Sequence, residues 1–213
     1  MRGDRGFTLD ETLEPFHEAS DWYLEVLRTI RTDQWAEPGL GEWTVLELAA
    51  HASRAYLTIE EYLQPSGAID VDSAADYFRR AIPGPEVNLD IADRGRAEAS
   101  ALGEDPVGEI EARAARTFGV IERAPVGAVC VSRGGTLSLA DFLATRVVEL
   151  TIHGLDLAVA LGLEGSPLGE PPEPASRISL TVLAALAAQP SSGTLLRALT
   201  GRVPLPQGYS VFP

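Results

Sequence analysis

Apolar residues recur at helical spacing through most of the chain. Leu13, Phe16, Ala19, Tyr23, Val26 and Ile30 mark one face of a first helix over residues 10–30, opened by Thr8 and Glu11 in capping-box spacing. Pro15 places either the start of that helix or a kink at its own position. A Pro/Gly-marked loop follows at 35–41. Thr44 and Glu47 then repeat the capping pattern before a helix to residue 63, with Leu48, Ala52, Ala55 and Ile59 along one side.

The middle of the chain is weaker in pattern. A short helix is expected over 73–81, stopped by Pro83-Gly84-Pro85, and another over 89–102. Asp105-Pro106 is an N-cap followed by the first helical position, and predicts a helix to Arg123. The run 126–131 (VGAVCV) is short, β-branched and bounded by glycine, which fits a strand or an extended linker. Ser138 and Asp141 open the most regular helix, to Leu161, with Gly162 just past its end. After a proline-rich linker at 167–174 come helices over 175–188 and 192–200 and an extended segment over 203–212. The predicted architecture is mainly α: a four-helix bundle over 8–162 with a short C-terminal α(+β) extension over 163–213.

Composition narrows the partners. Of 213 residues, 31 are acidic and 17 basic, a formal charge of −14, which argues against nucleic acid and anionic membranes. Every basic residue is arginine, as expected of a GC-rich genome, since lysine codons are AT-rich. One cysteine, Cys130, cannot close an intrachain disulfide, and the first ten residues alternate charge and glycine without an apolar signal region. No apolar run is long enough for a membrane span. A cytoplasmic monomer or homodimer is expected, with Cys130 as a small buried hydrophobe.

The chemistry lies in the helix beginning at Ser138. Arg146, Glu149, His153 and Asp156 fall within a stripe of roughly 80°. Leu143, Leu150, Leu157 and Leu161 occupy the adjoining stripe, so the polar row lies against the apolar face. Glu149 and His153, four apart, bring an oxygen and a nitrogen to one point. Only three histidines exist, His17, His51 and His153. His51 sits mid-helix among small and apolar residues, and completes a His–Glu–His set if the two helices are neighbours. The same residues are also compatible with a structural ion pair and a hydrogen-bonded core histidine.

Three segments carry a resemblance. Trp35, Pro38, Trp43-Thr44-Val45, Leu48 and His51 stand in the order of the first signature of the mycothiol-dependent maleylpyruvate isomerase family. The row Arg146, Glu149, His153, Asp156-Leu157 resembles its second, and Leu195-Leu196-Arg197-Ala198-Leu199-Thr200-Gly201-Arg202 its closing segment. The family belongs to the DinB/YfiT-like four-helix bundles. The resemblance implies that His51, Glu149 and His153 ligate zinc or another divalent metal, with mycothiol as thiol cosubstrate and a small electrophile as its target. Beside it, Arg146 is expected either to pair with Glu149 or Asp156 or to hold a substrate carboxylate, Asp156 to support a ligand or to hydrogen-bond at the helix end rather than act as a fourth ligand, and Arg202 either to pack or pair with the bundle or to contact the cofactor. Trp35 and Trp43 are expected to cover the bundle with their indole nitrogens on loop carbonyls. The isomerase itself carries a larger α/β domain where this chain has residues 163–213. The implied activity is isomerisation of, or thiol transfer to, an electrophile; the alternative is a metal- or small-ligand-binding bundle without catalysis.

Overall fold

A computed structural model describes residues 6–82, 87–187 and 192–212. Among them run α1 (Leu9–Arg28), α2 (Val45–Tyr62), β1 (Leu63–Gln64), α3 (Ala74–Ala81), α4 (Val87–Ala101), α5 (Pro106–Glu122), β2 (Val129–Ser132), β3 (Gly135–Ser138), α6 (Leu139–Ala160), α7 (Glu173–Ala187) and α8 (Ser192–Leu199). The expected stop at Pro83-Gly84-Pro85 and the expected helix end at Ala188 lie outside the described residues.

Local chemistry starts these helices where the sequence predicts. Thr44 accepts the Glu47 amide while the Glu47 carboxylate accepts the Thr44 amide at 2.8 Å. Asp105 caps Gly108 ahead of Pro106, and the Ser138 hydroxyl accepts the Asp141 amide at 3.0 Å. Helix α6 ends in a Schellman turn: Gly162 takes φ +70°, and Leu163 N–H reaches the Ala158 carbonyl at 2.8 Å. Pro15 neither starts nor ends α1; the helix begins at Leu9 and continues through the buried proline. The cost is one intrahelical hydrogen bond, against which the packing of a long amphipathic face weighs more.

Four helices close a ring, each packing on its neighbours in the order α1, α6, α2, α5 and back to α1. Phe16, Tyr23 and Leu27 of α1, Tyr56 and Ile59 of α2, Ile110 of α5, and Phe142 and Leu150 of α6 meet in one core. Each such buried side chain contributes roughly 1.5–3 kcal/mol. Two pairs of buried polar groups bridge α1 and α2: Tyr23 donates to the Ala49 carbonyl at 2.7 Å, and Ser20 and Tyr56 share a bond of 2.8 Å. Helix α4 covers α2, tied there by Glu98, which pairs with Arg113 at 2.5 Å and with Arg54 at 3.3 Å. Helix α7 lies on α6 and α1 and adds Ala175, Ile178, Val182 and Leu186 to the same core.

The glycine-bounded run is half of a hairpin. β2 pairs antiparallel with β3 around Arg133-Gly134, and β1 joins the other edge of β2 through Leu63 and Cys130. The expected extended tail forms no strand over 203–212 and instead turns back, setting Phe212 edge-on to Phe78 at 5.4 Å. No helix among the described residues is long and apolar enough to cross a membrane.

This small sheet aligns the two helices that matter most. β1 continues directly from the C-terminus of α2, and β3 runs directly into the N-terminus of α6, so the two helices leave the sheet side by side and antiparallel in chain direction. At 1.5 Å per residue, His51 stands about 17 Å along α2 from the sheet. Glu149 and His153 stand about 15 and 21 Å along α6, so the three residues share one level.

Candidate metal centre

At that level the donors converge. His51, Glu149 and His153 each present one ligand atom, and these atoms lie within 4.8 Å of one another. His153 Nε2 is 3.4 Å from Glu149 Oε2. The His153 ring meets His51 edge-on with centroids 4.9 Å apart. All three residues are partly buried in the bundle wall. His17, by contrast, stacks on Phe118 at 4.1 Å and takes no part.

Each member is supported differently. The Asp156 carboxylate lies 3.1 Å from His153 Nδ1, which directs Nε2 toward Glu149. Arg146 lies below Glu149, with Nη2 3.9 Å from Oε1. Two further donors are used: Nε on the Thr145 hydroxyl at 3.0 Å and Nη1 on the Thr58 hydroxyl at 3.2 Å. The guanidinium also sits over the Phe142 ring at 4.6 Å, and the residue is only 6% exposed. These contacts make Arg146 an ion-pair neighbour of Glu149. Thr58 is the contributor that sequence reading missed; it stands seven residues beyond His51, two helical turns, and so on the same face.

The electrostatics divide the histidines. Burial, with His153 close by, pushes the His51 imidazole down to about 4, so it is neutral with a free lone pair. Burial also opposes charge on Glu149 and His153. Their mutual hydrogen bond and Arg146 nevertheless hold the carboxyl down at about 2, while Asp156 and Glu149 hold the His153 imidazole up at about 9. His51 Nδ1 is buried without any hydrogen-bond partner. Two imidazoles, one carboxylate, an orphaned ring nitrogen and a carboxylate-oriented histidine form a donor set suited to a divalent cation.

One expectation needs correction. The Trp43 indole does not cap a loop carbonyl: its Nε1 is buried without a partner, and the ring lies on His51 with centroids 4.6 Å apart. The loop closes on itself instead, Gly39 N–H to the Trp43 carbonyl at 2.8 Å and Trp43 N–H to the Leu40 carbonyl at 2.9 Å. Gly41 there takes φ +59°, a conformation that favours glycine. The Trp35 indole likewise makes no hydrogen bond among the described residues. Arg202 is exposed on the turn after α8, where its amide bonds the Arg197 carbonyl; its side chain makes no hydrogen bond or ion pair with the triad among the described residues. Cys130 is fully buried, and burial pushes its thiol up to about 12.

Fold and site together define a DinB/YfiT-like helical bundle with a His–Glu–His cluster between two facing helices. A family model described as the mycothiol maleylpyruvate isomerase N-terminal domain matches residues 16–158, and the chain belongs to that family. No curated protein and no solved structure matches it.

Proposed function

We propose that this protein is a metal- and thiol-dependent enzyme. In this reading His51, Glu149 and His153 hold a divalent cation, zinc first among the candidates, and mycothiol is the thiol cosubstrate for isomerisation of, or transfer to, a small electrophile. The observation that carries it is the convergence of the three donors within 4.8 Å, from helices brought to one level. Membership of a mycothiol-associated family supports the choice of thiol.

A divalent cation with an open coordination position lowers the pKa of a bound thiol and keeps it as thiolate near neutral pH. The chain's own residues prepare for that. His51 is already neutral, so its lone pair is available without loss of a proton. Asp156 fixes the His153 ring through Nδ1 and leaves Nε2 to face Glu149. Arg146, anchored by Thr58 and Thr145, keeps the Glu149 carboxylate ionised and steady. Cys130 supplies no nucleophile; buried and with a raised pKa, it leaves an external thiol to fill that role.

The test is metal analysis of the purified protein beside His51→Ala and His153→Ala variants, followed by turnover assays with mycothiol and maleylpyruvate. Near-stoichiometric metal in the wild type, its loss in both variants and thiol-dependent turnover are expected. Equal, low metal in all three under zinc-replete conditions would sink the reading. Metal retention with no turnover on any electrophile would make the protein a non-catalytic metal-binding bundle.

A further inference from the structure

We propose that Trp43 is a positioning residue for His51, its indole face doing for that imidazole what the Asp156 carboxylate does for His153. The inference rests on the metal-centre reading above. The two histidines are held in unlike ways. His153 has a partner on each ring nitrogen, Asp156 at 3.1 Å and Glu149 at 3.4 Å. His51 makes no hydrogen bond through either ring nitrogen among the described residues, so whichever nitrogen faces the triad, the other has no partner to fix it. A metal-ligating histidine ordinarily donates its second nitrogen to a carbonyl, carboxylate or water, which fixes the plane of the ring. Here a flat hydrophobic neighbour does that steric work. The Trp43 ring lies 4.6 Å from the imidazole at 36°, and the His153 ring closes the other side edge-on.

The indole is itself pinned. Its backbone is locked in the loop by the bonds to Gly39 and Leu40. Helix α4 presses on the ring at Gly95, where an added Cβ would lie 3.2 Å from Trp43 Cζ2 and 3.3 Å from Cε2. The same helix is tethered beside the loop by Arg96, 3.6 Å from Glu42 and 3.7 Å from Glu47. The layers run α4 backbone, indole, His51, His153. Because Trp43 Nε1–H makes no hydrogen bond, the contact is carried by the ring face alone, and a phenyl ring suffices for it.

The experiment measures zinc affinity by competition with a chromophoric chelator, and the visible absorption spectrum of the cobalt-substituted protein. It uses the full chain as wild type, Trp43→Phe, Trp43→Leu and Gly95→Ala. Trp43→Phe is expected to keep zinc affinity within about threefold, and Trp43→Leu to lower it by about tenfold or more. Gly95→Ala touches no ligand but pushes the indole against His51, and is expected to shift the cobalt bands. Circular dichroism of the metal-free proteins reports folding separately. Equal affinities and identical spectra across the four proteins overturn the inference while the metal reading stands. Absence of metal binding by the wild type overturns the metal reading itself. If Trp43→Leu does not fold, Gly95→Ala decides alone: an unchanged cobalt spectrum overturns the inference.

Discussion

His153 starts protonated and His51 does not, so a metal entering this cluster must displace a proton from one histidine only. With its imidazole held up at about 9, metal-free His153 carries a proton at neutral pH, whereas His51, down at about 4, carries none. Zinc binding at pH 7 is expected to release close to one proton, read by calorimetry in buffers of different ionisation enthalpy. Affinity should climb with pH until about 9; a flat profile between pH 6.5 and 8.5 contradicts the assignment. Asp156→Asn removes the charge that orients His153 and is expected to weaken zinc binding by roughly 10- to 100-fold with the fold intact. At this scale the sequence was partly legible. The i, i+4 spacing of Glu149 and His153 and the i, i+3 spacing of Asp156 are visible in one helix. His51 and Thr58 needed a second helix to be placed beside it. Trp43 was misread because an indole N–H is expected to find an acceptor, and here the backbone amides of Gly39 and Trp43 had already taken the loop carbonyls.

Helices were legible wherever caps and periodicity agreed, as at Thr44–Glu47 and Ser138–Asp141. Of the strands only β2 was, in the glycine-bounded run at 126–131. β1 has two residues, and β3 (Gly135–Ser138) buries only Leu137, so neither shows a period; each exists because β2 offers a ladder to pair with. Propensity also misleads at Gly154, in the interior of α6. Alanine normally improves an exposed helix interior by about 1 kcal/mol over glycine. At this position a Cβ would meet Trp22 Cζ3 of α1 at 2.3 Å. Gly154→Ala is therefore expected to destabilise the protein by roughly 1–3 kcal/mol in urea unfolding, by forcing α1 and α6 apart. A stabilised variant would show that the Trp22 ring can swing clear.

For the whole molecule the two histidines set opposite pH limits on the metal-free state. His51 titrates below its ordinary 6.5 in the folded chain, so the unfolded chain binds more protons between about 4 and 6.5, and stability falls as pH drops through that window. His153 is shifted upward, so its contribution is complete below 6.5 and is lost as pH rises toward about 9. Thermal melts of metal-free protein should peak near pH 6.5. Zinc, binding only the folded form, should add about 2.7 kcal/mol at 100-fold excess over Kd, and a chelator should remove that gain. Cys130 should resist alkylation at pH 8 until the chain unfolds, since it is wholly buried with a raised pKa. The mainly α bundle was readable from the chain because α1, α2, α5 and α6 are long and well capped; the closing of their ring was not, since no local pattern states which helix neighbours which.

The matched arms of α2 and α6 restrict where this protein tolerates a change of length. One residue inserted between His51 and Leu63, or between Ser138 and Glu149, would swing a donor about 100° around its axis and lift it about 1.5 Å out of the shared plane. Such a variant is expected to keep its helical content and to lose zinc affinity. The same insertion at 66–69, beyond β1, leaves both arms as they are, and zinc titration of the two insertions side by side would separate the ruler from the slack.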